Sequence, residues 1–292
     1  MKRILSKASC LDPLLVLGIV SYIVVLMTIV VFVKTGSKAN HVYVSSAKEL
    51  TQLFAERQYH WPPTAEVPLI VIARFPEDMG ELDSEDRKSV FFRALLPLII
   101  EENAAIKQER ALLLKIVGQD QIQGQNLVEL NKLAKQYGLD GDVTDRQVQL
   151  KLKRRIDIIP PALVLAQAAN ESAWGTSRFA VEANNIFGEW TYKKADGLLP
   201  KARQDGKKHH VRKFKDLRSS VRSYMNNLNR GHAYQSLRRM RADMRKKSTP
   251  FQAKDLAAGL KSYSSRGDEY VKEIRTMIQQ NRLDMVDYQA TN

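Results

Sequence analysis

The sequence contains a single cysteine, Cys10, and this scarcity excludes several kinds of chemistry. No disulfide can form within the chain, and no thiol after Cys10 is present to act as a nucleophile. Cys10 precedes an apolar run, whereas a bacterial lipidation site follows one, so we expect no lipid anchor there. The cysteine content is compatible with an oxidising or a reducing compartment.

Motifs for metals, phosphates and serine nucleophiles are also lacking. None of the five histidines stands at a metal-ligand spacing; they are His41, His60, His209, His210 and His232. There is no Gly-rich phosphate-binding loop and no G-x-S-x-G nucleophile elbow. The sequence therefore implies no cofactor and no metal.

One stretch has no charge at all. Residues 13–33 are rich in Val, Leu and Ile, and as a helix they would span roughly 31 Å, enough to cross the hydrocarbon layer. The run is longer than the core of a typical signal peptide, and no convincing small-x-small cleavage site follows it. The sequence predicts an uncleaved transmembrane anchor at 13–33, with a cleaved signal peptide as the alternative.

Positive charge is slightly denser before this run than after it. Three basic residues precede it and two follow closely, namely Lys2, Arg3 and Lys7 against Lys34 and Lys38. This bias favours a cytoplasmic tail at 1–12 and an exported remainder. We therefore expect a single-pass membrane protein whose main body lies outside the cytoplasm.

Beyond the predicted anchor, the chain divides into a spacer and a helical region. Prolines are frequent in 34–83, which is typical of an extracytoplasmic spacer. From Ser84 onward apolar residues recur at helical spacing. This pattern predicts a long helix interrupted at Pro97, a second helix over 125–137 and a third over 144–155.

The hydrophobic content of 44% is sufficient for a packed core in a chain of 292 residues, which could hold one or two domains. The first long helix should contribute apolar side chains to that core, namely Phe91, Leu95, Leu98 and Ile99. The two acidic residues that follow them, Glu101 and Glu102, should lie at the surface.

An apolar helix carries the first candidate functional group. Pro160 and Pro161 fit its first turn, and Gly175 would end it. Glu171 is the carboxylate of this helix and lies on the same side as small apolar residues. A carboxyl group in such a place is poorly solvated, which favours its protonated form and suits it to donate a proton near neutral pH.

Aromatic and amide side chains follow this carboxylate closely. The run ESAWG contains Glu171 and Trp174, and the run NNIFG contains Asn184, Asn185 and Phe187. Paired amides and aromatics are suited to hold sugar hydroxyls and acetamido groups. The combination indicates a carbohydrate site.

The sequence resembles the glucosaminidase family of bacterial cell-wall hydrolases in three segments. They are the stretch AQAANESAWGTSRFA, which contains ESAWG, the run NNIFG and the later run YSSRG. This family includes the flagellar peptidoglycan hydrolase domain and inner-membrane proteins of the Bax type, and the Bax type is the more similar. The resemblance covers roughly residues 85–283. It implies a mainly α, lysozyme-like helical domain with a small β-hairpin lobe, placed at 84–285 and followed by a tail at 286–292.

The resemblance also implies roles for individual residues. Glu171 would be the general acid, and Tyr263 would line the cleft beside it. Other residues would form the floor and turn of a substrate groove, namely Trp174, Asn184, Asn185, Phe187 and Tyr270.

The partner of the general acid stays open at this point. Four carboxylates follow the apolar helix, namely Glu182, Glu189, Asp196 and Asp205. Members of the family are thought to use an acid in the hairpin lobe, or to let the N-acetyl group of the substrate attack. The runs GEWTYKK and HHVRKFK predict a two-stranded hairpin with a long tip, and Asp205 and Glu189 both lie in it.

Positive charge is concentrated in 201–247, which holds sixteen Lys or Arg residues and three Asp residues. Such a surplus attracts polyanions, and for an exported chain the cell wall and the membrane come before nucleic acid. A solvated surface without a specific ligand is an equally good interpretation.

These features predict a membrane-anchored peptidoglycan hydrolase, an N-acetylglucosaminidase that cleaves the glycan strand by acid-assisted glycosidic hydrolysis. A lytic transglycosylase is one alternative, since it also carries a Glu-Ser pair on a helix, but no Gly-Leu-Met-Gln-like run follows here. A non-catalytic cell-wall-binding scaffold is the other alternative, in which the basic residues would do the binding.

Overall fold

The computed structural model of the protein describes residues 40–199 and 210–287. The predicted anchor at 13–33 and the candidate acid Asp205 lie outside these residues. No helix within them is both long enough and apolar enough to cross a membrane. The described residues from His41 onward belong to one compact unit.

From residue 41 onward, the predicted spacer belongs to this unit. It contains β1 (Asn40–Val42), α1 (Ala47–Glu56) and β2 (Ile70–Ile72), and the two strands pair with each other. The apolar side chains of α1 recur at helical spacing, so Leu50 and Phe54 are fully buried, and the guanidinium of Arg93 lies 4.8 Å from the Phe54 ring. Burial of this face is the physical reason that the segment is folded and is not a free linker.

The longest helix of the described chain is α2 (Ser84–Val117). Asp83 caps it, since its carboxylate accepts hydrogen bonds from the backbone N–H groups of Glu85 and Asp86 at 2.9 and 3.0 Å. The predicted interruption at Pro97 is wrong, because burial of the residues around it outweighs the one backbone hydrogen bond that proline removes. The predicted core residues of this helix are all buried, namely Phe91, Leu95, Leu98 and Ile99.

The prediction of a surface position for Glu102 is wrong. Its side chain is buried, and its two oxygens accept hydrogen bonds from Arg222 at 2.8 and 2.9 Å. A charged partner from a helix that is distant in sequence makes this burial tolerable. Glu101 is partly exposed and forms an ion pair with Arg218.

The remaining helices follow in chain order. The two predicted after α2 are confirmed to within two residues as α3 (Gln125–Gln136) and α4 (Arg146–Arg155). Later helices are α5 (Pro161–Ser172), α6 (Arg178–Ala183), α7 (Leu217–Arg230), α8 (Gln235–Lys246), α9 (Ala253–Leu256) and α10 (Asp268–Gln280). Short 3-10 helices lie at Glu77–Glu81, Lys194–Asp196, His232–Tyr234, Ala257–Leu260 and Leu283–Val286.

Helix α5 is central to the packing. Every side chain from its first residue to Ala169 is buried, and it packs against α2, α9 and α10. The backbone N–H of Ala162 donates to the Asp287 carboxylate at 2.9 Å, and the Asn103 side chain makes two hydrogen bonds with the backbone of Ile159. The first residues of the predicted tail at 286–292 are therefore part of the fold.

A buried ionic cluster precedes α5. The Asp157 carboxylate lies 2.8 Å from Arg245 and 3.4 Å from Arg110. The fully buried Arg241 donates to backbone carbonyls of the segment that joins α4 to α5, including those of Asp157 and Ile158 at 3.0 and 2.9 Å. These bonds satisfy carbonyl oxygens that would otherwise be buried without partners.

Among the described residues, the small β lobe has three strands, whereas two were predicted. They are β3 (Trp190–Thr191), β4 (Gly197–Leu198) and β5 (His210–Arg212), arranged antiparallel in the order β3-β5-β4. The additional strand β4 depends on Gly197, because a Cβ atom there would lie 2.3 Å from the Cβ of His210. The mainly helical fold with a small antiparallel sheet is confirmed.

Candidate active site

The end of α5 fixes the position of Glu171. The helix ends at Ser172, earlier than the predicted end at Gly175, because Ala173, Trp174 and Gly175 all have positive φ angles of 49°, 60° and 80°. The Ser172 hydroxyl donates to the carbonyl of Ala168 at 2.6 Å and accepts from the N–H of Gly175 at 2.9 Å. Consecutive left-handed residues are costly, and such strain is concentrated at functional sites.

The two oxygens of Glu171 have different surroundings. Oε1 accepts hydrogen bonds from the Tyr270 hydroxyl at 2.8 Å and from Asn170 at 3.4 Å. Oε2 accepts no hydrogen bond from any residue in 40–199 or 210–287, and the half-buried side chain lines a cleft of about 830 Å³. One oxygen is thus held in place while the other is available to a ligand.

A buried hydrogen-bond chain supports Tyr270. Its hydroxyl accepts from Nε2 of Gln167 at 2.9 Å, and Oε1 of Gln167 accepts from the Tyr224 hydroxyl. Gln167 is fully buried one helical turn before Glu171. Burial raises the pKa of Tyr270 and of Tyr224 well above the usual tyrosine value, so both hydroxyls keep their protons and act as donors.

Tyr263 lies in the cleft beside this chain. Its ring stacks on that of Tyr270 with centroids 5.2 Å apart, and its hydroxyl donates to the backbone carbonyl of Phe187 at 2.8 Å. Phe187 in turn stacks on Tyr224 at 3.8 Å. Burial raises the pKa of Tyr263 as well. The four rings form a rigid aromatic wall next to Glu171.

The β lobe and α7 form the other sides of the cleft. From the lobe come Gly188, Glu189, Trp190 and Arg212. From α7 come Ser219, Arg222, Ser223, Asn226, Asn227 and Arg230, and Tyr234 follows that helix. The Trp190 side chain is 58% exposed at the rim of the cleft.

Glu189 is the second carboxylate of this cleft. Its Oε2 accepts from the Ser223 hydroxyl at 2.8 Å and from Arg212 at 3.4 Å. Burial raises the pKa of Glu189, and the bonds from Ser223 and Arg212 act in the opposite direction. Its Oε1 has no hydrogen-bond partner among the described residues.

The other carboxylates that the sequence suggested either do not line the cleft or lie outside the described residues. Glu182 is exposed on α6 and pairs with Arg178 at 3.0 Å. Asp196 is exposed in the lobe. Asp205 lies outside the described residues, so its assignment stays a prediction. The structure therefore brings Glu171, Glu189 and Tyr263 together.

The two asparagines of the NNIFG run are buried and do not line the cleft. Asn184 donates to the backbone carbonyl of Phe214 at 3.2 Å. Asn185 donates to the carbonyls of Glu189 and Arg212, both at 2.8 Å, and accepts from the N–H of Glu189 at 2.9 Å. These bonds position Glu189 and join the lobe to the helical body.

Trp174 also lies away from the cleft lining. Its ring contacts those of Phe91 and Phe92 on α2 edge to face, with centroids 5.9 and 5.2 Å apart, and the ammonium of Lys88 lies 5.7 Å from it. These contacts anchor the strained turn after Glu171 to the core.

Sequence reasoning did not find Gln167, Tyr224 or the polar face of α7. Gln167 carries a signal that could have been used, because it is a lone polar residue in the run PPALVLAQAA and lies four residues before Glu171. No comparable signal marks Tyr224. The described residues contain no cluster of three or more His, Cys, Asp or Glu side chains that could hold a metal ion.

Comparison with known proteins identifies the family. Residues 147–283 match the glucosaminidase family model, described as mannosyl-glycoprotein endo-beta-N-acetylglucosaminidase. The chain is 35% identical to protein bax of Escherichia coli K12 over 197 residues, which cover 67% of this chain and 70% of that protein. It therefore belongs to the glucosaminidase family as a Bax-type member. The family implies glycoside hydrolase activity related to peptidoglycan.

A solved structure was also matched. The catalytic domain of the autolysin Auto from Listeria monocytogenes is 20% identical to this chain, with a TM-score of 0.35. The match covers 61% of this chain and 87% of that domain.

Proposed function

We propose that this protein is a peptidoglycan N-acetylglucosaminidase that hydrolyses the glycan strand on the N-acetylglucosamine side, with Glu171 as the general acid. The observation that carries this proposal is the asymmetry of the Glu171 carboxyl group, whose Oε1 is held by Tyr270 while Oε2 is available in the cleft. A proton donor needs this combination of fixed direction and access to the leaving oxygen.

In the proposed reaction, Glu171 transfers its proton to the glycosidic oxygen as the bond to the anomeric carbon breaks. Positive charge develops on the sugar ring and must be stabilised until water completes the hydrolysis. The aromatic wall that includes Tyr263 would hold the sugar and limit the access of water.

The stabilising group is either Glu189 or the N-acetyl group of the substrate. Glu189 is supported by its position in the cleft and by the nearby cation of Arg212, which favours the charged carboxylate against the effect of burial. The substrate's own N-acetyl group remains the competing candidate, since it requires no second carboxylate.

We also propose that residues 13–33 anchor the protein in the inner membrane with the domain in the periplasm, where peptidoglycan lies. The uncharged run and the basic residues before it support this location. Fractionation of cells that express the full chain, with protease protection in spheroplasts, would test it.

Product analysis tests the proposed function. Borohydride-reduced peptidoglycan is incubated with the full-length protein, and mass spectrometry identifies the new ends. New reducing ends that carry N-acetylglucosamine support the proposal. Anhydro-muramic ends would instead indicate a lytic transglycosylase, and binding without any product would indicate a scaffold.

A further inference from the structure

Helix α7 presents a continuous polar face to the cleft. Ser219, Arg222, Ser223, Asn226, Asn227 and Arg230 all line it, and their spacing of three or four residues places them on one side of the helix. Proton transfer at Glu171 does not require this many polar groups. The chemistry of these groups therefore indicates which part of a substrate would lie against the helix.

Most groups on this face have partners within the protein. Arg222 pairs with Glu102, and the Ser223 hydroxyl donates to Glu189. Arg230 is exposed, and the part of the chain that the structure describes offers its guanidinium no ion pair or hydrogen bond. The Asn226 side chain likewise donates no hydrogen bond to a described residue, and its Oδ1 is buried without a donor.

A second arginine lies beside Arg230. Both guanidinium groups rest against Gly138, where an added Cβ atom would lie 3.4 Å from Nε of Arg230 and 3.5 Å from Nη1 of Arg155. Burial and the charge of Arg230 lower the pKa of Arg155, whereas Asp140 raises it. Nη1 of Arg155 donates to the carbonyls of Tyr137 and Gly138 at 2.5 and 2.7 Å, so Arg155 is held in place. Two like charges at close range disfavour each other, and an anion bound to Arg230 relieves this cost.

We propose that Arg230 and Asn226, with Arg155 behind them, form a subsite for a carboxylate on the substituents of the glycan strand. This proposal rests on the proposed function. A guanidinium group binds carboxylates with two parallel hydrogen bonds, and an amide donor beside it adds a third. The carboxylate comes either from the peptide on the strand or from the lactyl group of a strand whose peptide has been removed, since the lactyl carboxyl is an amide while the peptide is attached.

The test measures binding to three glycans of similar length. They are peptide-bearing strands, strands stripped by an amidase so that the lactyl carboxylate is free, and chito-oligosaccharides, which have no carboxylate. The full-length protein carries Glu171→Gln to prevent turnover, and Arg230→Ala is added to it. Arg239→Ala is the matched control, because Arg239 is also exposed, on α8, but does not line the cleft.

Arg230→Ala is expected to weaken the binding of carboxylate-bearing strands about tenfold relative to chito-oligosaccharides, the size typical of a charge-assisted hydrogen bond. An effect confined to peptide-bearing strands assigns the peptide as the source, and an effect confined to stripped strands assigns the lactyl group. An effect on both kinds of strand shows that the subsite accepts a carboxylate from either source. Arg239→Ala should leave unchanged the ratio of the affinity for carboxylate-bearing strands to the affinity for chito-oligosaccharides.

Two results would overturn the subsite and leave the proposed function standing. One is an equal effect of Arg230→Ala on all three glycans, including no effect. The other is an equal change of the ratio in Arg239→Ala, which would show a general effect of charge. If no glycan binds to the folded protein, the subsite and the proposed function both fail.

Discussion

The carboxyl group of Glu171 depends on a few hydrogen bonds for its direction. From the sequence we expected a poorly solvated group on an apolar helix. In the structure Glu171 lies one residue before the helix ends, so the side chain reaches the cleft while Tyr270 holds one oxygen. Its orientation is therefore as important to the proposed chemistry as its limited solvation.

Substitution of Tyr270 tests the importance of this orientation. Tyr270→Phe removes the hydroxyl that donates to Glu171 and leaves Nε2 of Gln167 without its acceptor. We expect kcat for peptidoglycan to fall roughly tenfold with little change in KM, because the acid loses its fixed direction rather than its binding contacts. Steady-state kinetics on solubilised glycan strands would measure both constants.

Tyr192→Phe is the control, since Tyr192 is 83% exposed in the β lobe. It should leave both constants unchanged. An equally small effect of the two substitutions would show that the hydrogen bond to Glu171 has no role in turnover.

Residue types in the sequence were sufficient to predict Glu171 and Tyr263 as neighbours in a site, through the resemblance to a family. They were not sufficient for Gln167 and Tyr224. These two residues are 57 positions apart, and only the packing of α7 against α5 brings them together. A hydrogen bond of this kind leaves no periodicity or local motif in the sequence.

At the scale of elements, the turn after α5 is the critical connection. It brings three left-handed residues into succession and packs Trp174 onto α2. Gly175 is the third of them, and a Cβ atom there would lie 3.0 to 3.3 Å from the ring of Phe75. Phe75 is buried and stacked on Phe91, so it has little freedom to move.

We expect Gly175→Ala to destabilise the protein by about 1–2 kcal/mol, from the cost of a left-handed alanine and the contact with Phe75. Urea unfolding followed by circular dichroism would measure this. Gly188→Ala is the matched control, because Gly188 also has a positive φ of 66° but has no atom within 4 Å of an added Cβ. Equal losses in the two variants would exclude a contribution from Phe75.

Helices with clear apolar periodicity were predicted well, as α3 and α4 show. Elements that depend on close approach or on distant partners were not. The strand β4 exists because Gly197 has no side chain to clash with His210, and α2 passes through Pro97 because its surroundings are buried. Tertiary contacts override local preference in both cases.

At the scale of the whole molecule, the last described residues hold the start of α5. Asp287 accepts a hydrogen bond from the N–H of Ala162, and burial raises the pKa of this carboxyl to about 7. The folded protein thus binds a proton more tightly than the unfolded chain does. Stability from this group is fully present below the ordinary aspartate pKa and is lost as pH rises through 7.

We expect the free energy of unfolding of the wild-type protein to fall by about 2–3 kcal/mol between pH 5 and pH 8 through this group. Asp287→Asn should remove that part of the pH dependence, because the amide keeps an acceptor for Ala162 and does not titrate. Urea unfolding at several pH values would measure the difference. Asp255→Asn is the control, because Asp255 is exposed. The same pH dependence of unfolding in the wild type and in both variants would contradict the raised pKa of Asp287.

The basic surplus of the chain is partly internal. Arg238 and Arg241 are buried and donate to backbone carbonyls, and Arg222 pairs with a buried carboxylate. The sequence could not distinguish these arginines from a polyanion-binding surface, because their partners are carbonyls and acids of distant segments. Arg230 remains as an exposed cation of the cleft.

The central claim is that Glu171 donates the proton, and one comparison of rates tests it most directly. The release of new reducing ends from peptidoglycan is measured for Glu171→Gln and for Glu182→Gln, which alters an exposed glutamate on the next helix. The proposed mechanism predicts a loss of about 10²–10⁴-fold in the first variant and an unchanged rate in the second. Wild-type activity in Glu171→Gln, with the same reducing ends, would contradict the claim.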